Sequence, residues 1–329
     1  MKRWYLLMSS LMAALALFMA LSLFYDSASS EVPAPEGTIE IVLKSIVGQP
    51  MDFWDVVDQG IVDAAREFGV NVEVSGPRFE KEINSQIQIL DNIIQKNPPL
   101  IILAASDYKK LVESVERASL QGIPIITIDS GVDSDIPISF VATNNVDAGV
   151  KAGEEMKRLI DEHDRKQIAI VSHIQETATA IERERGVRSA LEGENIIGTW
   201  FCDVEQDIAY QITLELLKNP DLGGIVALNE VASLGVARAI RESNSKRDVL
   251  VVGFDNAVQE LSDLEEGIIQ ATVVQRPYNM GYLSVKAAAD YLKGNDIDPL
   301  VDTGSVLITK DNMFERQYQE LLFPFSGIK

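Results

Sequence analysis

IPIITIDS at residues 123–130 and VLVVGFDN at residues 249–256 decide the fold. Each is a continuous run of aliphatic and β-branched residues that stops at an aspartate, Asp129 in the first and Asp255 in the second. Runs of this length without polar alternation are strands buried on both faces, the pattern of parallel sheets covered by helices. In open parallel sheets ligands bind beyond the carboxyl ends of the strands. An aspartate placed there is therefore a candidate ligand group as well as a candidate helix cap.

Outward from these two runs the same alternation continues. Strands are predicted at 39–43, 70–74, 100–104 and 139–142, and again at 167–171, 197–201, 224–228 and 269–274. Amphipathic helical stretches lie between them, at 53–68, 82–95, 108–121, 146–161, 179–191, 209–218, 231–242, 257–265 and 278–292. Uninterrupted β-α alternation makes this an α/β chain. A seam near Thr143 divides it into two units, and two sheets whose carboxyl edges face each other would enclose a cleft.

Composition narrows the function. At 329 residues the chain is long enough for about two domains. With 50 acidic against 29 basic residues its formal charge is −21. Nucleic acid is excluded as a partner, because binding it requires lysine and arginine to displace phosphate counterions. A single cysteine, Cys202, rules out an internal disulfide. The only histidines are His163 and His173, and no HExxH, Walker A, GxGxxG or GxSxG stretch occurs. No metal, no cofactor and no catalysis are expected.

Lys2 and Arg3 precede an apolar run from Leu6 to Tyr25. A positive flank before a run of that length places the following chain outside the cytoplasm. Residues 1–25 are a signal anchor or a cleaved signal peptide. Residues 26–37, rich in Ser, Pro and Glu, are a tether.

Seven stretches occur together in one order: VGQPMDFWDVVDQGIVDAAREFGV (47–70), IPIITIDSG (123–131), VATNNVDAG (141–149), AIERERGVRSAL (180–191), ALNEVASLGVARAI (227–240), VVGFDNAVQEL (251–261) and IQATVVQRPYNMGYLSVKAA (269–288). On these motifs the chain resembles the type I periplasmic binding proteins, in the ribose/galactose/xylose sugar-binding branch. The resemblance implies two Rossmann-like lobes with parallel sheets joined by a hinge of three crossovers. The N-terminal lobe would be 38–142 plus 276–301. The C-terminal lobe would be 143–275 plus 302–329. The crossovers would lie near Thr143, Gln275 and Asp302.

It also implies the ligand groups. Asp52, Phe53 and Trp54 would supply a hydroxyl partner and stacking rings, and Asp129, Arg185, Asn229, Asp255 and Gln275 the polar contacts. Arg183, two residues from Arg185, would be a lobe-closing or surface charge. Secondary candidates are Ser130, where ribose-type proteins have an arginine, and His173, Glu205 and Gln206. Val204 stands where relatives often place a ring. The ligand would be a monosaccharide, a pentose or hexose, with xylose one candidate. The partner would be the ectodomain of a membrane sensor histidine kinase, reached from an anchored position, or the permease of an ABC-type sugar importer.

Overall fold

The apolar runs assemble into two sheets. The computed structural model describes residues 37–46, 53–161, 167–243 and 249–323. The first sheet contains β1 (Thr38–Val42), β2 (Asn71–Ser75), β3 (Ile101–Leu103), β4 (Ile125–Ile128), β5 (Ser139–Ala142) and β11 (Leu300–Asp302). Its strand order is β11-β5-β4-β3-β1-β2 and every pairing is parallel. The second contains β6 (Gln167–Ser172), β7 (Asn195–Phe201), β8 (Leu222–Ala227), β9 (Leu250–Phe254), β10 (Ala271–Val274) and β12 (Val306–Thr309). Its order is β12-β10-β9-β8-β6-β7, parallel except for the antiparallel edge pair β10–β12.

The central strands are covered on both faces, which is why their residues are mostly apolar and buried. Successive strand residues point to opposite sides. In β1, Ile41 packs with helix α1 (Phe53–Phe68) and helix α9 (Pro277–Leu292), while Val42 packs with α2 (Ile83–Lys96) and α3 (Val112–Leu120). In β6, Ile170 meets α4 (Asn145–Ile160) and α5 (Ala178–Ala190). Its neighbour Val171 meets α6 (Gln206–Leu216), α7 (Glu230–Glu242) and α8 (Val258–Glu266). A short helix, α10 (Gln319–Leu322), follows β12.

Two local differences from the sequence expectation have clear causes. The helix expected at 108–121 begins only at Val112. The Asp107 carboxylate accepts from the Lys109 and Lys110 amides at 2.9 and 2.8 Å, and this side-chain turn displaces the helix start. The strands β11 and β12 were not expected; both are short edge strands whose residues are mostly exposed or only partly buried.

The chain leaves the first sheet after β5, returns after β10 into α9, and crosses a third time between β11 and β12. The first and third crossings are bonded to each other. The Thr303 amide donates to the Ala142 carbonyl at 2.9 Å, and the Asn144 amide to the Asp302 carboxylate at 3.0 Å. The described residues form one compact unit. No helix among the described residues is long and apolar enough to cross a membrane; the expected anchor or signal at 1–25 and the tether lie outside the described residues.

One packing contact recurs in both lobes. At the α1–α9 contact a Cβ on Gly60 would lie 2.2 Å from the Tyr278 carbonyl oxygen, and one on Gly281 would lie 2.1 Å from that of Val57. At the α4–α5 contact a Cβ added to Gly149 or Gly186 would likewise lie 2.2 or 2.1 Å from the Arg183 or Val146 carbonyl oxygen. Only a hydrogen fits at such backbone contacts. Gly281→Ala should therefore cost about 1–3 kcal/mol in urea unfolding, the usual penalty of overpacking. Gly131→Ala, whose added methyl would meet only the Phe140 ring at 3.9 Å, should be nearly neutral. Equal stability of both variants would contradict the backbone contact.

Candidate ligand-binding cleft

The carboxyl ends of β1, β4, β6, β8, β9 and β10 converge on one cavity of about 480 Å³ between the two sheets. That lies within the usual range of small-molecule sites, roughly 300–1,000 Å³. Phe53 and Trp54, in the first turn of α1, form one wall. Their rings meet edge to face with centroids 5.0 Å apart. The Trp54 indole N–H donates to Glu80 Oε1 at 2.7 Å, which fixes the ring's orientation.

The two aspartates that end the decisive strands occupy equivalent backbone positions. Asp129 has φ 58° and Asp255 has φ 79°, both in the left-handed region. Few residues other than glycine adopt it, aspartate and asparagine most readily. Each amide donates to the neighbouring strand, Asp129 to the Val141 carbonyl at 3.1 Å and Asp255 to that of Val273 at 3.0 Å. Both side chains are buried at the cavity wall.

Their charges are compensated locally. Lys44, one residue beyond Leu43 at the end of the first strand run, is 2.6 Å from Asp129 Oδ2, and both side chains are almost wholly buried. Asp255 Oδ1 accepts from Gln275 Nε2 at 2.7 Å, and Oδ2 accepts the Glu230 amide at 3.2 Å. Burial pushes the Asp255 carboxyl above its ordinary value, while Arg183 and these two bonds pull it down. Burial likewise raises Glu80, against the pull of Lys44 and the Trp54 bond.

Arg183 is held rigidly. Its Nε donates to Asn145 Oδ1 at 2.9 Å and its Nη1 to the Leu228 carbonyl at 2.8 Å, with the guanidinium 4.7 Å above the Phe254 ring. Arg185 was expected to face the ligand, but the structure exposes it on the far side of α5 and places Arg183 at the cavity. The reason is helical periodicity. Thr179, Arg183, Gly186 and Val187 share the buried face, and a two-residue offset turns Arg185 away from it.

The other expected residues fall as follows. Phe53, Trp54, Asp129, His173, Glu205, Asn229, Asp255 and Gln275 line the cavity. Ser130 is buried but outside the lining, and Gln206, the first residue of α6, does not line it. Asp52 lies outside the described residues. Val204 lines the cavity as a small apolar wall.

Asn229 also caps α7, its Oδ1 accepting the Ala232 amide at 3.0 Å. The His173 ring is buried. Desolvation, with Arg183 and Lys44 nearby, pulls its pKa well below the ordinary value, so it is neutral. Its Nε2 lies 3.0 Å from the Thr177 and Thr179 hydroxyls, and Nδ1 has no partner among the described residues.

Lys44 and Glu80 line the cavity without belonging to any expected set. A lysine directly after the strand run at 39–43 is a readable sign of a charge that needs a partner. Glu80 sits in a loop without periodicity, and no sequence signal marks it.

Across the cavity mouth the lobes touch. Lys81 forms an ion pair with Glu205, and the Tyr108 amide donates to the Glu176 carbonyl at 2.8 Å. No group of three or more histidine, cysteine or acidic side chains that could hold a metal ion occurs among the described residues.

Comparison with known proteins agrees with this geometry. A family model described as the periplasmic binding protein domain matches residues 45–296. The D-allose-binding periplasmic protein of Escherichia coli (strain K12) is 28% identical over 273 residues, covering 79% of this chain and 86% of its own. A carbohydrate transporter solute-binding protein from Agrobacterium radiobacter, solved in complex with D-arabinose, superposes with a TM-score of 0.82 at 30% identity, covering 87% of this chain and 99% of its own. A sugar transporter structure from Clostridium phytofermentans gives 0.77 at 35% identity, covering 84% and 99%. The chain belongs to the periplasmic binding protein domain family, has its type I fold of two parallel-sheet lobes, and is a binding protein rather than an enzyme.

Proposed function

We propose that the protein captures a monosaccharide, a pentose or hexose, outside the cytoplasmic membrane and delivers it to the permease of an ABC-type importer. The observation that carries this reading is the joint placement of Asp129 and Asp255, one from each lobe, with the Phe53–Trp54 pair on one cavity. A sugar presents fixed hydroxyls and weakly apolar C–H faces. Carboxylates, amides and guanidinium groups bond the hydroxyls, and aromatic rings cover the C–H face. Hydrogen bonds to charged groups contribute about 1.5–3 kcal/mol each. A ligand touching both lobes stabilises the closed form by its differential affinity for it.

The charge of the wall favours a neutral ligand. Asp129, Asp255 and Glu80 stand against Lys44 and Arg183, so a uronate or sugar phosphate would add a negative charge to an acidic wall. Import is favoured over signalling because the relatives reported above carry names of binding and transport. A sensor-kinase partner rests on the apolar run Leu6–Tyr25 alone, and no feature of the described lobes favours it. That run would take the protein out of the cytoplasm, holding it at the membrane's outer face if it stays as an anchor and releasing it if it is removed as a signal.

A thermal-shift screen of pentoses and hexoses on residues 31–329 should raise the melting temperature for at least one sugar and leave it unchanged for the corresponding uronates. No response to any sugar would contradict the reading. With the responding sugar, Asp255→Ala and Asn229→Ala should abolish measurable binding in titration calorimetry while circular dichroism stays native. Arg183→Ala should weaken binding at least about tenfold, the loss of one charge-assisted hydrogen bond. Arg185→Ala should leave it unchanged, and the reverse pattern would refute the placement of α5.

A further inference from the structure

Glu260, on α8, lies behind the cleft without lining it. Its side chain is fully buried, its Oε2 has no hydrogen-bond partner, and no cation pairs with it among the described residues. The charged groups facing it are Asp255 at the end of β9 and Glu230 at the start of α7, both acidic.

Proton accounting favours its neutral form. The Thr272 hydroxyl donates to the backbone carbonyl of Asp255 at 2.8 Å and also lies 2.9 Å from Glu260 Oε1. A hydroxyl has one proton, and the Asp255 carbonyl has none to give. The Thr272 hydroxyl is placed to donate to either oxygen, and a protonated Glu260 lets both contacts be hydrogen bonds by giving its own proton to Thr272. Burial and the two neighbouring acids push its pKa well above the ordinary value, outweighing the Thr272 and Ser233 hydrogen bonds, which pull it down. A neutral carboxyl also tolerates an unpartnered buried oxygen far better than a carboxylate does.

The same carboxyl contacts the Ser233 hydroxyl on α7. Ser233 in turn donates to the Asn229 carbonyl at 2.9 Å and accepts the Phe254 amide at 2.9 Å. The close fit extends to the strand itself, since a Cβ on Gly253 would stand 2.5 Å from Glu260 Oε1 and 2.9 Å from Ser233 Oγ. One side chain thus joins the hydroxyl that holds the carbonyl of Asp255 to the hydroxyl that holds the carbonyl of Asn229. A non-glycine residue at φ 79° persists only where its surroundings hold it there.

We propose that Glu260, in its protonated form, is a positioning residue that braces Asp255 and Asn229 from behind and so sets the affinity of the cleft. The proposal rests on the reading that these two residues hold the sugar. Glutamine can give the same bond to Thr272 through its amide N–H, whereas leucine cannot.

The test compares the wild type with Glu260→Gln, Glu260→Leu and Thr272→Val. Titration uses whichever sugar gives the largest thermal shift for the wild type. Glu260→Gln should bind within about threefold of the wild type, while Glu260→Leu and Thr272→Val should each weaken binding about tenfold or more. Protonation is read separately. A carboxyl whose folded pKa is raised loses its stabilising contribution as the pH climbs from its ordinary value of 4.5 towards the folded one. Glu260→Gln should therefore gain stability relative to the wild type over that rise. Equal affinity in all three variants, or Glu260→Gln as weak as Glu260→Leu, overturns the proposal. A wild type that binds no sugar sinks the functional reading instead. In that case parallel pH–stability curves for the wild type and Glu260→Gln still overturn the protonated brace.

Discussion

The structure depends on keeping charge buried at the carboxyl ends of two parallel sheets. Asp129, Asp255, Lys44 and Arg183 are each at most 5% exposed. Removing an ionised group from water costs several kcal/mol unless a partner compensates it. Each lobe supplies its own compensation, through Lys44 for Asp129 and through Arg183, Gln275 and the α7 amide for Asp255. Each half of the site can therefore stay assembled when the lobes part. A ligand then meets prepared surfaces and spends little of its binding energy on ordering them.

The lobe-to-lobe contacts at the mouth are weak by comparison. The Lys81–Glu205 pair is about half exposed on both sides, and surface ion pairs contribute little once solvent screens them. One backbone hydrogen bond, from Tyr108 to Glu176, accompanies it. The hydrogen bonds between the first and third crossings tie those two segments to each other.

Much of this was legible in the sequence because strong local patterns are also global ones here. Continuous apolar runs reveal strands covered on both faces, and the aspartates that end two of them mark the cleft. Asn229 was readable as both cap and ligand group, and its side chain does cap α7. Arg185, taken from the motif as the ligand group, lies exposed, while Arg183 lines the cavity. The buried face running through Thr179, Gly186 and Val187 contains Arg183. Lys44 carried a faint signal as a charge directly after a strand run. Glu80 and Glu260 carried none, since their significance arises from residues distant in sequence, Trp54 for one and Thr272 with Ser233 for the other. The short edge strands β11 and β12, mostly exposed or only partly buried, did not announce themselves.

The central claim is that one ligand is shared by both lobes at the paired aspartates. A crystal structure of residues 31–329 with the best-binding sugar tests it most directly. The account predicts sugar hydroxyls within hydrogen-bonding distance of Asp129 or Lys44 on one side and of Asp255, Asn229 or Arg183 on the other, with the Phe53–Trp54 wall against the ring. A sugar held by one lobe alone, or seated outside this cavity, would contradict it.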